Sequence, residues 1–350
     1  MPAPPDAAII VLLDQRNSRK FPSPAVAKQI ATEHVIPMGL PALTKPASQG
    51  AARAEGKQRH RPAPRLNAAM ACDTAFRTVA GRCLNDLTAN HPATCAGDAD
   101  ALHQMRIALT RLRTAIAFFS PMVAGPQRTR LREELKWLNA HLGVVRDLDV
   151  AIEWLKATGK RYPRAAYRSW SRERAESQQH LTRVLHSARY RAMVNSISRR
   201  IERGSWSTKK EMQAAKERAC PVSEYSARKL MRWREKLIKR SRGLRGLGAK
   251  KRHRLRLLNK KLTYAIESIA DLVSGGEISR QQATLKALRK AQKSLGQLND
   301  DARFRSLAAA LGQGGARASQ AFLGRKRERR LIREAVAAYE KLAGLTPFRI

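Results

Sequence analysis

Apolar residues recur at spacings of three and four from Leu66 onward, between stretches rich in Ala, Leu, Arg, Lys, Glu and Gln. Alternation of β-branched residues is scarce. That pattern predicts amphipathic helices and gives no strand of useful length. Breaks are expected at His91 to Gly97, Pro121 to Pro126, Gly159 to Pro163, Gly204 to Thr208, Cys220-Pro221, Gly243 to Gly248, Ser274 to Gly276 and Gly312 to Gly315. Such Gly and Pro clusters stop helices, and they divide the chain into about eight long helices with some shorter pieces.

One segment is written twice. His103-Gln-Met-Arg106-Ile-Ala-Leu-Thr110-Arg111-Leu-Arg113 returns 150 positions later as His253-Arg-Leu-Arg256-Leu-Leu-Asn-Lys260-Lys261-Leu-Thr263. Each copy is followed by a second shared element, Leu142-Gly143-Val-Val-Arg146-Asp147 and Leu295-Gly296-Gln-Leu-Asn299-Asp300. On a helical wheel Leu102, Met105, Leu109, Leu112, Ile116 and Phe119 form one stripe, and His103, Arg106, Thr110 and Arg113 occupy the adjoining sector. In the second copy Leu255, Leu262, Ile266 and Ile269 lie beside His253, Arg256 and Lys260. Neighbours on a helix surface are three or four positions apart, so each copy stacks donors along one face next to an apolar stripe. A repeat this long is a duplicated half, not a solenoid unit.

These paired motifs resemble those of the CHAD domain, the conserved histidine α-helical domain, over roughly residues 66–345. The resemblance implies an all-α fold of two four-helix bundles related by pseudo-two-fold symmetry, with the motif helices lining a basic central channel. It also implies binding of inorganic polyphosphate and association with polyphosphate granules. Carried over to matching positions, the ligand would fall to His103, Arg106, Arg111 and Arg113, and to His253, Arg256, Lys260 and Lys261. The family usually has a basic residue where Thr110 and Thr263 stand; a threonine hydroxyl can still donate to phosphate, without charge. The domain layout expected is a disordered basic arm at 1–65, a first helical half at 66–210 and a second at 211–350.

Charge narrows the partner independently of any resemblance. Lys and Arg number 69 against 28 Asp and Glu, a formal net charge of +41. Self-repulsion on that scale disfavours compaction unless an anion accompanies the fold. Nucleic acid, inorganic polyphosphate and an acidic membrane surface all answer that requirement. Aromatic content of 5% is too low for a base-stacking platform, which leaves nonspecific RNA or DNA binding as the alternative reading. Guanidinium groups match phosphate oxygens as a rigid fork, and ammonium groups act as mobile point charges.

Catalysis finds little to work with. No carboxylate cluster for Mg²⁺, Walker-type glycine loop or nucleophile with its base is present, and no Glu-x-Glu-x-Lys signature of a CYTH triphosphatase precedes residue 66. A non-catalytic, cofactor-free binding protein is expected, with granule-associated proteins as further partners. Asp147, Asp149 and Asp300 read as structural. Cys72, Cys83, Cys95 and Cys220 show neither metal-ligand spacing nor a disulfide framework, and the remaining histidines, including His141, His180 and His186, suggest no metal site. The apolar run Ala7 to Leu13 is too short to span a bilayer, so the expected location is the cytoplasm, at polyphosphate granules. An imidazole among cations should be uncharged in the empty site and charged in the filled one, so binding should take up protons as pH falls through about 6 to 7.

Overall fold

The structure, a computed structural model, describes residues 65–123, 126–157, 164–203, 212–310 and 324–350. All of them belong to one unit, Ala63–Ile350. The expected arm at 1–65 and the breaks at 159–163, 204–208 and 312–315 fall almost entirely outside the described residues.

Among the described residues the chain is helical throughout. The helices are α1 (Cys72–Ala89), α2 (His91–Cys95), α3 (Ala99–Phe118), α4 (Pro126–Ala157), α5 (Arg164–Leu185), α6 (Ala188–Arg203), α7 (Met212–Ala219), α8 (Val222–Ser241), α9 (Ala249–Ser268), α10 (Glu277–Ala310) and α11 (Arg325–Gly344). Short 3₁₀ turns at Leu244–Gly246 and Ala270–Leu272 flank α9. Strand geometry is confined to one isolated antiparallel bridge between Ala71 and Pro221. The expected break at His91 to Gly97 holds the one-turn helix α2, because Pro92 supplies a preset first-turn φ and needs no donor there. Gly97 then reverses the chain at φ +91, a conformation open to glycine. Asp98 starts α3 by accepting the backbone N–H groups of Asp100 and Ala101.

Helices α1, α3, α4, α5 and α6 pack in succession, α1 against α3 and α6, and α4 against α3 and α5. Helices α8, α9, α10 and α11 do likewise, each touching two of the others. Motif helices α3 and α9 lie against each other, and α1 touches both α7 and α8. The two stripes read from the wheel are buried: Leu102, Met105, Leu109, Leu112, Ile116 and Phe119 on α3 and its C-cap, and Leu255, Leu262, Ile266 and Ile269 on α9 and its C-cap. Full burial of such side chains contributes roughly 1.5–3 kcal/mol each.

An aromatic group fastens α3 to α1 and α8. Phe118 meets Phe119, Tyr225 and Trp233 at ring-centroid distances of 5.0, 5.9 and 5.5 Å, and Phe76 meets Phe119 at 5.7 Å. The Tyr225 hydroxyl donates to the Phe118 carbonyl at 2.6 Å, using the end of α3 as acceptor. Asp149, expected to be structural, is buried and accepts Arg174 Nε at 2.9 Å; Arg174 also donates to the Gly97 carbonyl at 2.8 Å. Arg234 closes the chain end by donating to the carbonyls of Leu342 and Leu345 at 2.7 and 2.6 Å. No helix among the described residues is long and apolar enough to cross a membrane.

Candidate anion-binding site

The sector beside each buried stripe is where α3 and α9 bring their cations together. Arg106 is held below the ordinary arginine range, at about 10, first by burial and then by the Arg146 charge from α4. Lys260 is pushed down to about 8 by burial, then by Arg256 on its own helix and Arg106 on the other. His103 is shifted downward by burial and by Arg146, Lys260 and Arg106, with Asp100 opposing. Five side chains from three helices therefore form one crowded positive group. In the free protein each additional proton there is resisted by the others.

Two atoms of this group are left without a hydrogen bond. Arg106 Nη1 and Arg256 Nε are both buried and have no acceptor among the described residues. They occupy equivalent positions in the two copies. An orphaned buried guanidinium nitrogen is costly unless an acceptor arrives, and phosphate oxygens suit it well.

The second shared motif explains how these arginines fit. Each Leu-Gly pair lies on a long helix facing a motif arginine. A Cβ on Gly143 would come within 3.2 Å of Arg106 Nη1, and one on Gly296 within 3.9 Å of Arg256 Nε. The missing side chains give the guanidinium groups a floor. Following them in sequence, Asn299 Oδ1 lies 2.6 Å from His253 Nδ1 and fixes that ring, while Asp300 stands beside Arg256 with its carboxyl raised chiefly by burial. In the first half Arg146 replaces Asn299 and adds a cation beside His103.

A second basic group follows along the same helix pair. Arg113 is shifted downward by burial and by Arg132 of α4; Lys261 is shifted downward by burial, Arg113, Arg132 and Lys236 of α8. Arg111 belongs to neither group. It pairs with Glu267 on α9 at 3.7 Å and lies over the Tyr264 ring at 5.6 Å, with Lys260 Nζ at 5.4 Å from that ring.

Of the residues expected from sequence, the structure thus joins His103, Arg106, Arg256 and Lys260, joins Arg113 and Lys261 separately, and turns Arg111 to a carboxylate and His253 to an amide. The threonines differ from expectation: Thr110 donates to the Arg106 carbonyl at 2.8 Å and Thr263 to the Asn259 carbonyl at 3.1 Å, so each hydroxyl proton is spent on its own helix. Arg146, Arg132, Lys236 and Tyr264 were missed as site residues. Only Arg146 carried a signal, its place in the Leu-Gly motif.

Among the described residues His91 lies beside His186 and His141 beside His180, at 5.7 and 5.3 Å between ring centroids. Burial, then His180 and Arg189, pushes His141 down to about 4. Among the described residues no group of three or more His, Cys, Asp or Glu is placed to hold a metal ion.

The family model described as CHAD domain matches residues 78–309, about two thirds of the chain. The crystal structure of the CHAD domain from the plant Ricinus communis superposes with a TM-score of 0.66 at 24% identity, covering 82% of this chain and 96% of that one. PptA from Streptomyces chartreusis gives a TM-score of 0.48 at 12% identity, covering 79% and 96%. No curated protein matches.

Two predictions follow from the packing of the cluster. Gly143→Ala favours helix by roughly 1 kcal/mol yet displaces the Arg106 guanidinium, whereas Gly296→Ala meets Arg256 only at contact distance. The first variant should therefore gain less stability than the second, since only at Gly143 must a guanidinium give way, as read by urea denaturation of both. Lys260 has a lowered folded pKa, so its cost to folding is fully present below about 8 and disappears as pH rises past the ordinary value of 10.5. Lys260→Met should therefore stabilise the free protein by about 3 kcal/mol near neutral pH, with the gain shrinking by about pH 9.5; an unchanged gain across that range would rule out the charge as its cause.

Proposed function

We propose that this chain, which belongs to the CHAD domain family, binds inorganic polyphosphate through the facing cations of α3 and α9 and performs no catalysis. The observation that carries this reading is the convergence of Arg106, Arg256 and Lys260, one buried guanidinium nitrogen in each copy lacking an acceptor. A linear polyphosphate offers about one negative charge per phosphate and no bases to accommodate. It would supply acceptors to both arginines and relieve the repulsion around Lys260. Arg113, Arg132, Lys236 and Lys261 extend the track for further phosphates. Association with polyphosphate granules in the cytoplasm accompanies this reading.

Nonspecific nucleic-acid binding is the competing reading, because a net charge of +41 attracts any polyanion at low salt. Competition near physiological salt separates the two. Labelled long-chain polyphosphate should be displaced by unlabelled polyphosphate far better than by charge-matched single-stranded RNA. The Arg106→Ala/Arg256→Ala double variant should lose about a hundredfold in affinity, two charge-assisted contacts at about tenfold each. Equal displacement by RNA with an unaffected double variant would assign binding to bulk charge.

Proton linkage supplies an independent check. Bound phosphate raises Lys260 from about 8, and His103 from its lowered value, toward the charged form. Complex formation should take up protons near pH 8, and affinity should fall as pH rises through that value. Calorimetry in buffers of different ionisation enthalpy reads this uptake; Lys260→Met should reduce it, and uptake equal in wild type and variant would show that Lys260 does not meet the ligand.

A further inference from the structure

Cys72 and Cys220 are 148 positions apart in sequence, and nothing in their spacing connects them. The fold brings them face to face. Ala71 and Pro221 form an antiparallel bridge, flanked by the hydrogen bonds from Cys72 N to Cys220 O at 3.1 Å and from Val222 N to Met70 O at 2.8 Å. In that register residue 72 lies directly opposite residue 220. Cys72 begins α1 and Cys220 follows α7, its own N–H donating to the Lys216 carbonyl, so a single backbone bond joins the two residues; a bond of that length holds their Cα atoms roughly 5–6 Å apart, within the range a disulfide spans. Both are thiols in this structure.

Their surroundings differ in a way that orders a reaction. Cys72 is fully buried, its thiol pushed up to about 12 by burial and then by the neighbouring Cys220 sulfur. Cys220 is partly exposed at the α7–α8 junction, with Arg228 Nη2 3.7 Å from its Sγ and Glu224 Oε2 at 3.6 Å. Exposure therefore makes Cys220 the sulfur that an oxidant in solution reaches first, while Cys72 is reached only through it. Cys83 is buried farther along α1, and Cys95 lies on α2 with its Sγ 3.7 Å from His91 Nε2; neither faces another cysteine across a bridge.

We propose that Cys72 and Cys220 are the site of an oxidation-dependent disulfide that staples the start of α1 to the start of α8. With hydrogen peroxide as oxidant, the Cys220 thiolate attacks one peroxide oxygen, the O–O bond breaks, and hydroxide leaves to be protonated to water. The Cys72 sulfur then attacks the resulting Cys220 sulfenic acid, forming the S–S bond and releasing a second water. The two thiols give up two electrons and the peroxide becomes two waters. Because α1 packs on α3 and α8 packs on α9, the staple ties together the supports of both motif helices.

The experiment uses the full chain. After peroxide treatment and alkylation in denaturant, non-reducing peptide mapping should show one linked peptide pair containing Cys72 and Cys220. Free thiols should fall from four to two, and the unfolding midpoint should rise reversibly with dithiothreitol, since the bond closes a long loop. Cys220→Ser, at the more exposed of the two positions, should keep its three remaining thiols under the same mild treatment and show no rise. A count that stays at four, a pairing with Cys83 or Cys95, a cross-link only between molecules, or Cys220 oxidised to sulfinic acid with Cys72 still free would each overturn the proposal.

Discussion

Crowding of like charge at the contact between α3 and α9 is the constraint on which the rest of the structure turns. Each motif helix must bury a leucine-rich stripe, and the sector next to that stripe carries arginine and lysine. Packing the stripes therefore forces the cations together. Burial removes water from them and repulsion raises the cost further, with Lys260 at about 8 and Arg106 at about 10 as the signs of it. Hydrophobic burial on both sides outweighs this cost, and the site is held in a state that an anion improves.

Several features far from the charges hold that arrangement in place. Phe118, Phe119, Tyr225 and Trp233 lock the end of α3 to α8, so α3 cannot retreat from the facing helix without breaking an aromatic group and the Tyr225–Phe118 hydrogen bond. Gly143 and Gly296 let α4 and α10 pass close beneath the motif arginines. The Asp149–Arg174–Gly97 link sets the turn from which α3 starts. Rigid supports matter because a flexible cluster would relax by moving its cations outward into water.

Helical class, the duplication and the two stripes were legible in the sequence because periodicity reports local geometry, and Leu102 to Phe119 repeats at the helical period. The motif arginines could be identified for the same reason. What escaped depends on which helices meet. Arg132 and Lys236 belong to no repeat, and only packing of α4 and α8 beside α3 and α9 reveals them. Tyr264 follows the second motif without a counterpart that would mark it. The diversion of Arg111 to Glu267 needs a contact between the two motif helices, and the engagement of the threonine hydroxyls reflects a common habit of threonine inside helices.

Matching places in the two copies of the motif carry different residues. Asn299 restrains His253 with a neutral amide, while Arg146 at the corresponding place presses a cation against His103 and Arg106. Asp300 offsets part of the Arg256 charge in the second half. In the first half Arg146 has Glu153 at 3.6 Å as its counter-charge, and the second half contributes Lys260, pushed down to about 8. The two helices thus bring unlike groups to one cluster, the guanidinium of Arg106 with Arg146 beside it from one half and the Lys260 ammonium from the other.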